Sequence, residues 1–487
     1  MNRKDFINAG LASSLLGYTS AIGAEKKSKK NVLFIMVDDL RPLLKSYGDV
    51  HAITPNIDAL ANRGNLFKRA YVQQAICGPS RASMLTGLYP DNTKIYKLNQ
   101  TVKSTLPKHI SIFEHFRNNG FHTLGKGKLF HHSSDSFSSK FSSPYEKEKG
   151  EMYSETENLK LIAKRKKEAN HKKLKGLKRY SATLGPAVEV GNGNDHIYKD
   201  GRLANWATSS LTNVSNKQFF MAVGFHKPHL PFNAPKKYWN MYNRNSLPVS
   251  LNLTKPKGAP QIAMHNFGEI RSYTDIVKMG AIDKNKAKEL VHGYYACISY
   301  IDAQVGKVLN SLKENNLEKN TIICILGDHG FSLGEHGLWC KHSNFEEATH
   351  SPLIIVDPDS SGGKVVDSFA EFVDIYPTIC ELASVSEPER FDGISLVPLL
   401  KNPSKPLRDY AISQYPRHGG MGYTIRTSKY RYTEWFKKDA VVGKELYDHE
   451  LFPGENESMI GNVKYKVIED ELSKILRKEI KKRKKDS

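Results

Sequence analysis

The chain has 487 residues, and its 72 Lys and Arg against 51 Asp and Glu give a formal net charge of +21 at pH 7. Hydrophobic residues make up 39% and aromatic residues 10%, which excludes a wholly disordered protein. A chain of this length can bury a large core without disulfides, and the lack of a fixed-period repeat argues against a solenoid or propeller. The charge predicts a polyanionic partner: nucleic acid, anionic lipid or an acidic polysaccharide.

The first 24 residues have the pattern of an export signal. Arg3 and Lys4 precede an uncharged stretch, from Ile7 to Ala24, that ends in small residues. Gly10 and Gly17 interrupt this stretch, which makes a membrane anchor the weaker interpretation. No later segment is apolar enough to span a bilayer, so we expect no stable membrane insertion. The sequence predicts an exported protein, periplasmic or secreted.

Strand and helix patterns then alternate along the chain. Apolar runs predict strands, and apolar residues at helical spacing predict helices. The predicted strands are 31–37, 121–124, 218–224, 321–326 and 352–356, and the predicted helices are 54–64, 81–86, 109–117, 290–312 and 374–382. This alternation predicts an α/β fold with a large, mostly parallel sheet flanked by helices.

Two regions depart from that alternation. We predict a catalytic domain of residues 25–400 that contains an irregular insertion at about 133–195. The stretch 158–179 of this insertion is strongly basic, with ten Lys or Arg residues and one acidic residue. No aromatic residues interleave with these charges, which argues against nucleic acid as the partner. Residues 401–487 predict a smaller C-terminal α+β subdomain, with short strands at 410–414, 423–427 and 430–434 and a helical tail from 463.

Polar residues follow three of the predicted strands directly. Asp38 and Asp39 follow the first strand, His226 follows strand 218–224, and Asp328 and His329 follow strand 321–326. Ligands of such folds gather at the carboxyl ends of the strands, so we expect these side chains to converge. Adjacent carboxylates repel each other unless a cation lies between them, and carboxylate oxygens favour calcium, with magnesium as the alternative.

The five cysteines contain no close pair of the metal-binding type. Cys324 and Cys380 have apolar neighbours and are predicted to be buried. Cys77 lies instead among Gly78, Pro79 and Ser80, a composition typical of a turn. An odd number of cysteines in an exported protein indicates that one has a special role.

The segment Cys77-Gly-Pro-Ser-Arg81, followed by Leu-Thr-Gly, resembles the signature of the type I sulfatases in the alkaline phosphatase superfamily. The resemblance extends over nearly the whole mature chain, including 31–39, 54–64, 327–337, 372–383 and 392–400. Residues 224–232 and 341–353 are most similar to the iduronate 2-sulfatase-like branch. The resemblance implies an alkaline phosphatase-like fold.

The resemblance also implies the site. Cys77 would be oxidised to formylglycine by a separate maturing enzyme. The divalent cation would be held by Asp38, Asp39, Asp328, His329 and the modified Cys77. The residues that would face the sulfate or move protons are Arg81, Lys128, His131, His226 and Lys341.

The implied chemistry explains these residue types. The hydrated aldehyde attacks sulfur through one hydroxyl, and the other hydroxyl lets the sulfated intermediate collapse and release sulfate. Cations oppose the charge on the sulfate oxygens. His226 is the first choice of acid for the leaving alcohol and His131 the second, while direct roles for His131 and His229 remain open.

We therefore predict a sulfatase that acts on a sulfated carbohydrate, either an algal polysaccharide or a glycosaminoglycan oligosaccharide. One alternative is a phosphodiesterase or phosphonate monoester hydrolase of the same superfamily. The other is a basic polyanion-binding protein that is not an enzyme, which is disfavoured because every expected catalytic position is filled.

Overall fold

The computed structural model describes residues 29–131, 141–250 and 252–485. The predicted export signal lies outside these ranges. Within them, no helix combines the length and apolar character needed to cross a bilayer.

A seven-stranded sheet forms the centre of the described chain. Its strands are β1 (Asn31–Val37), β2 (Asn65–Tyr71), β3 (His122–Gly127), β4 (Phe219–Phe225), β5 (Thr321–Gly327), β6 (Leu353–Val356) and β7 (Lys364–Glu371). Their order across the sheet is β7-β2-β6-β5-β1-β4-β3. Only β6 runs antiparallel to its neighbours, so the predicted mostly parallel sheet is confirmed.

The longer helices are α1 (Pro55–Arg63), α2 (Cys77–Thr86), α3 (Ile112–Asn118), α4 (Thr156–His171), α5 (Gly176–Ala182), α6 (Lys199–Asn213), α7 (Lys284–Glu314), α8 (Ile375–Leu382) and the C-terminal α9 (Lys466–Lys485). Of these, α1, α6 and α7 cover one face of the sheet, and α2, α3 and α8 cover the other. One-turn helices cover Pro90–Thr93, Val102–Thr105, Lys236–Trp239, Glu346–Thr349 and Val397–Lys401. Two small strand pairs join Val188–Gly191 to Phe232–Pro235 and Ser332–Leu333 to Trp339–Cys340.

Strand β1 shows why the sheet is buried on both sides. Its residues are apolar after Asn31, and alternate side chains enter two different cores. Leu33, Ile35 and Val37 pack with α1, α6 and α7. The side chains between them pack on the opposite face with α2, α3 and α8. Two hydrophobic layers thus fix the position of the strand ends.

Three sequence expectations differ from the structure. The insertion contains two helices, α4 and α5, which the sequence did not predict because few apolar side chains, such as Ile162, mark their inner face. Strands β2 and β7 escaped prediction, since charged residues interrupt their apolar patterns. Cys77 begins α2 rather than lying in a turn; Pro79 is tolerated there because amides in the first helical turn lack partners within the helix.

The C-terminal subdomain has its own antiparallel sheet. Its strands are β8 (Tyr410–Arg417), β9 (Gly420–Thr427), β10 (Tyr430–Lys437) and β11 (Ala440–Asp448). Leu472, Leu476 and Ile480 of α9 pack against this sheet and form a separate core with it. The three strands predicted at 410–414, 423–427 and 430–434 correspond to β8, β9 and β10, and only β11 of this sheet escaped prediction.

A buried arginine connects the two parts. Arg431 of β10 pairs with Glu455 (Nε–Oε1 2.6 Å) and with Glu346, and it donates to the carbonyl of Asn344 (2.8 Å). Its guanidinium holds the pKa of the Glu455 carboxyl at about 2 despite burial. Removing the cation would leave buried Glu455 with only His449 as a basic partner in the described ranges, whereas Glu346 would keep two others. Such a loss is far costlier than losing a surface ion pair.

We expect Arg431→Met to lower the free energy of unfolding by about 3–5 kcal/mol. Arg477→Met is the matched control: that arginine also pairs with a glutamate of the subdomain, Glu434, but its side chain is 52% exposed. Its loss should cost about 1 kcal/mol or less. Thermal and denaturant unfolding measure both variants, and equal losses would contradict the role given to Arg431.

Candidate active site

The carboxyl ends of two neighbouring strands bring the acidic residues together. Asp38 and Asp39 follow β1, and Asp328 follows its parallel neighbour β5. The strand ladders continue into the site, because the Asp38 amide donates to the Phe225 carbonyl (3.1 Å) and the Asp328 amide to the Val37 carbonyl (3.0 Å). All three carboxylates are fully buried. The convergence predicted from the sequence is confirmed.

Helix α2 enters this site at its first residue. Cys77 is buried, and its Sγ lies 3.3 Å from His329 Nε2 and 3.8 Å from Lys128 Nζ. Ser80, one turn into the helix, donates to the carbonyl of Asp328 and so fastens α2 to the end of β5. His329 Nδ1 donates to the Gly330 carbonyl (2.9 Å), which leaves Nε2 to face the thiol.

Arg81 lies one turn further along α2 and connects two of the carboxylates. Its Nε donates to Asp328 Oδ2 (2.8 Å) and its Nη2 to Asp38 Oδ1 (2.8 Å). The third guanidinium nitrogen donates to the carbonyl of Lys128. Arg81 therefore positions the carboxylates, a contact that its expected role toward sulfate did not include.

Hydrogen bonds to both the amide and the carbonyl group fix the backbone of Asp39. Its amide donates to Asp328 Oδ1 (2.9 Å), and its carbonyl accepts from the hydroxyl of Tyr294 (2.7 Å). Its φ of 60° lies in the left-handed region, which is uncommon for a residue other than glycine. This backbone turns its carboxylate toward Lys341, whose Nζ lies 2.9 Å from Oδ2.

The charges of the site are balanced unevenly. Burial raises the pKa of Asp39 well above its usual range, and Asp38 and Glu269 add to the rise, although Lys341 opposes it. Burial also disfavours the Asp38 carboxylate, but Lys128 and Arg81 outweigh that effect and hold its pKa well below the usual range. The Asp38 carboxylate is thus strongly stabilised, whereas Lys341 alone does not offset the burial of the Asp39 carboxylate and the acids around it.

Sequence reasoning missed Glu269, which lies in this site. Its Oε1 is 2.8 Å from Lys341 Nζ and 3.3 Å from His229 Nε2, and its Oε2 is 3.0 Å from His342 Nε2. Burial disfavours its carboxylate, but Lys341 and His342 hold its pKa well below the usual range. It is a lone acid in an irregular loop, so no motif or strand end signals it.

The histidines predicted for the site take different positions. His229 Nε2 lies near Asp39 (3.9 Å), and its ring is next to that of His226, with centroids 5.0 Å apart. The His226 amide donates to Asp200 (2.6 Å), which anchors the loop after β4. His131 lies beside Gly78 and shares a small cavity with Arg81.

The side chains present fit a divalent cation. Ligand atoms of Asp38, Asp39, Cys77 and His229 all lie within 4.8 Å of one another, and so do those of Cys77, Asp328 and His329. Three of these six residues are aspartates, which offer the oxygen ligands that hard cations prefer. A cation would also supply the positive charge that the buried Asp39 lacks.

Comparison with known families identifies the family of the chain. The family described as "Sulfatase" matches residues 30–385, and "N-sulphoglucosamine sulphohydrolase, C-terminal" matches residues 334–482. Human iduronate 2-sulfatase is 32% identical, over 85% of this chain and 87% of its own length. A sulfatase of Formosa agariphila is 31% identical, over 92% of this chain and 87% of its own length.

Solved structures share the fold. One, BT4656 in complex with D-glucosamine-2-N,6-O-disulfate, aligns with a TM-score of 0.73 at 23% identity, covering 94% of this chain and 99% of the other. The phosphonate monoester hydrolase of Agrobacterium radiobacter aligns with a TM-score of 0.74 at 20% identity, covering 93% and 96%. These likenesses confirm the alkaline phosphatase-like fold, and with the family match they show that the chain belongs to the sulfatase family of sulfuric ester hydrolases.

Proposed function

We propose that the enzyme hydrolyses sulfate esters of a sulfated carbohydrate through a formylglycine made from Cys77. The observation that carries the proposal is the position of Cys77, buried at the start of α2 between His329 and Lys128. Iduronate 2-sulfatase and the glucosamine-disulfate complex among the similar proteins support a carbohydrate substrate, a glycosaminoglycan oligosaccharide or an algal polysaccharide. The net charge of +21 favours such a polyanion.

The unmodified thiol is poorly suited to attack. Burial raises the pKa of Cys77 well above its usual range, and Asp38 adds to the rise. The thiol therefore stays protonated at neutral pH and is a weak nucleophile. Oxidation by a maturing enzyme would supply instead the hydrated aldehyde whose hydroxyl attacks sulfur.

Calcium is our choice of cation, with magnesium as the alternative, held by Asp38, Asp39, Asp328, His329 and residue 77. When bound, it supplies Lewis-acid polarisation of a sulfate oxygen and lowers the pKa of the attacking hydroxyl. Arg81 keeps Asp38 and Asp328 in place through its two hydrogen bonds.

Two lysines would bind the sulfate group. Lys128 and Lys341 come from distant segments of the chain, and each pairs with one aspartate of the site: Lys128 with Asp38 and Lys341 with Asp39. Burial lowers water access, so their charges act strongly on the negative charge that develops during sulfuryl transfer. Glu269 holds Lys341 at 2.8 Å and so limits its position.

The leaving alcohol needs a proton, and His229 is the better placed donor. Its Nδ1 donates to the Leu230 carbonyl (2.6 Å), so a proton on Nε2 would face the site. Burial, Lys128 and Lys341 lower the pKa of His229 well below its usual range, and Glu269, 3.3 Å from that nitrogen, opposes this by favouring the protonated ring. His226, our first choice from sequence, remains the alternative, and His131 ranks third.

The rival reaction uses the same fold. Phosphonate monoester hydrolases align as well as sulfatases do, so the fold alone does not separate the two reactions. The 32% identity to iduronate 2-sulfatase favours the sulfate ester. Turnover of an aryl sulfate against the matching aryl phosphate tests this choice.

We also propose export to the periplasm or the medium. The proposal rests on the basic start and uncharged stretch of residues 1–24.

Replacing Cys77 by Ala should lower sulfate release by about a thousandfold or more, because the alanine side chain cannot become the hydrated aldehyde. Sulfate released from a sulfated oligosaccharide is the measurement. Cys380→Ala is the matched control: this cysteine is buried in α8, and its variant should keep its turnover. Full sulfate release by Cys77→Ala would overturn the proposed nucleophile.

Calcium binding should stabilise the protein. Saturation at about 100 times Kd should add about 2.7 kcal/mol to the free energy of unfolding, which thermal unfolding with calcium and with a chelator reports. Asp39→Asn should lose most of this gain. Asp302→Asn removes a buried carboxylate that binds Asn56 and should keep the gain. If calcium stabilised Asp39→Asn as much as the wild-type protein, Asp39 would not be a ligand of the cation.

The loss of kcat caused by His229→Ala should depend on how much protonation the leaving group of the substrate needs. A sugar alkoxide needs protonation, whereas 4-nitrophenolate leaves without it, so we expect kcat to fall about 10²–10⁴-fold on the sugar sulfate and far less on the aryl sulfate. His226→Ala should affect both substrates to a similar degree. The reverse pattern would assign the acid to His226.

A further inference from the structure

Arg417 is a partly buried cation that the reaction described above does not use. It is the last residue of β8 and begins the hairpin to β9 in the C-terminal sheet. One guanidinium nitrogen donates to the carbonyl of His342, and the group lies over the ring of Tyr415 at 5.2 Å. Its Nε is buried and has no hydrogen-bond partner among the described residues.

No carboxylate in the described ranges forms an ion pair with this guanidinium. The acid that acts on it most, Glu445, instead accepts hydrogen bonds from Trp435 and Tyr447, each at 2.8 Å. Burial lowers the pKa of Arg417, as expected of a cation without an anion. By contrast, Arg431 in the same sheet has two glutamates. Burying an unpaired charge is costly, so Arg417 is suited to an anion from outside the chain.

The hairpin reaches the candidate active site through Tyr415. The hydroxyl of Tyr415 lies 2.8 Å from His342 Nδ1. His342 follows Lys341 in the chain and contacts Glu269 at 3.0 Å. Arg417 thus lies one layer of side chains away from the groups that would hold the reacting sulfate.

We propose that Arg417 binds a second oxyanion of the substrate, a uronate carboxylate or a further sulfate, and so selects sugars that carry one. The inference rests on the proposed carbohydrate sulfatase activity and extends it. A planar guanidinium matches either oxyanion by paired hydrogen bonds, which an ammonium group cannot reproduce. The C-terminal subdomain would then set substrate choice while the large domain supplies the chemistry.

Binding to an inactive full-length protein tests this subsite apart from turnover. Calcium-loaded Cys77→Ala is titrated calorimetrically with two pairs of sugars. The first pair is a sulfated uronate disaccharide and its carboxyl-reduced form. The second pair is glucosamine-2-N,6-O-disulfate and glucosamine 6-O-sulfate. The same titrations are repeated after adding Arg417→Leu, Arg417→Lys or Arg244→Leu.

We expect Cys77→Ala to bind the more anionic sugar of one pair at least tenfold tighter than the less anionic sugar, and that pair identifies the oxyanion. Adding Arg417→Leu should bring this ratio of dissociation constants close to one, and adding Arg417→Lys should keep part of it. Arg244→Leu, the charge-matched control, removes an exposed arginine that donates to His292 and should leave the ratio unchanged. Unfolding curves check that each variant is folded.

Two results would contradict the proposed subsite. One is a ratio of dissociation constants near one for both pairs in Cys77→Ala, and the other is a ratio that stays at tenfold or more after Arg417→Leu is added. Failure of the proposed function looks different. In that case the matured wild-type enzyme would release no sulfate from any of these sugars, whatever the binding ratios show.

Discussion

The burial of three aspartates in one pocket is the constraint on which the rest of this structure depends. Asp38, Asp39 and Asp328 are fully excluded from solvent and would repel each other if they stood alone. Arg81, Lys128 and Lys341 offset part of that charge, and each of these cations comes from a different segment of the chain. The fold must therefore hold distant segments in register to keep this pocket stable.

The same charge balance prepares the pocket for its chemistry. Because Asp39 retains a raised pKa despite Lys341, the pocket still favours an additional cation. A cation there, with the two lysines, makes the pocket attractive to a sulfate group. The thiol at position 77 stays protonated in these surroundings, which explains why a modified side chain suits the reaction better than cysteine itself.

The sequence predicted those parts of the molecule whose signals are local. Strand β1 is an apolar run that ends in two aspartates, and β5 ends in an aspartate and a histidine, so both the sheet and its polar edge could be read directly. Strand β2 could not, because Lys68 and Arg69 interrupt its apolar pattern. Glu269 and Arg417 acquire meaning only from folding, since each is a single charged residue whose partners lie far away in the chain.

Two groups of basic residues contribute to the net charge of +21, one on the surface of the insertion and the other in or beside the active-site pocket. Lysines and arginines of α4 and α5 are mostly exposed and form a basic surface on the insertion. Arg81, Lys128, Lys341 and Arg417 are the cations that the structure places in or beside the pocket. The first set would attract any polyanion, whereas the second would select a sulfated sugar of defined shape.

The central claim is that sulfate release depends on formylglycine at position 77. Preparations matured to different extents should be compared, with the modified fraction of the peptide containing Cys77 measured by mass spectrometry and the initial rate of sulfate release from one sulfated oligosaccharide measured alongside. The account predicts a rate proportional to the formylglycine fraction, with a line through the origin. A rate that does not change with this fraction would contradict it.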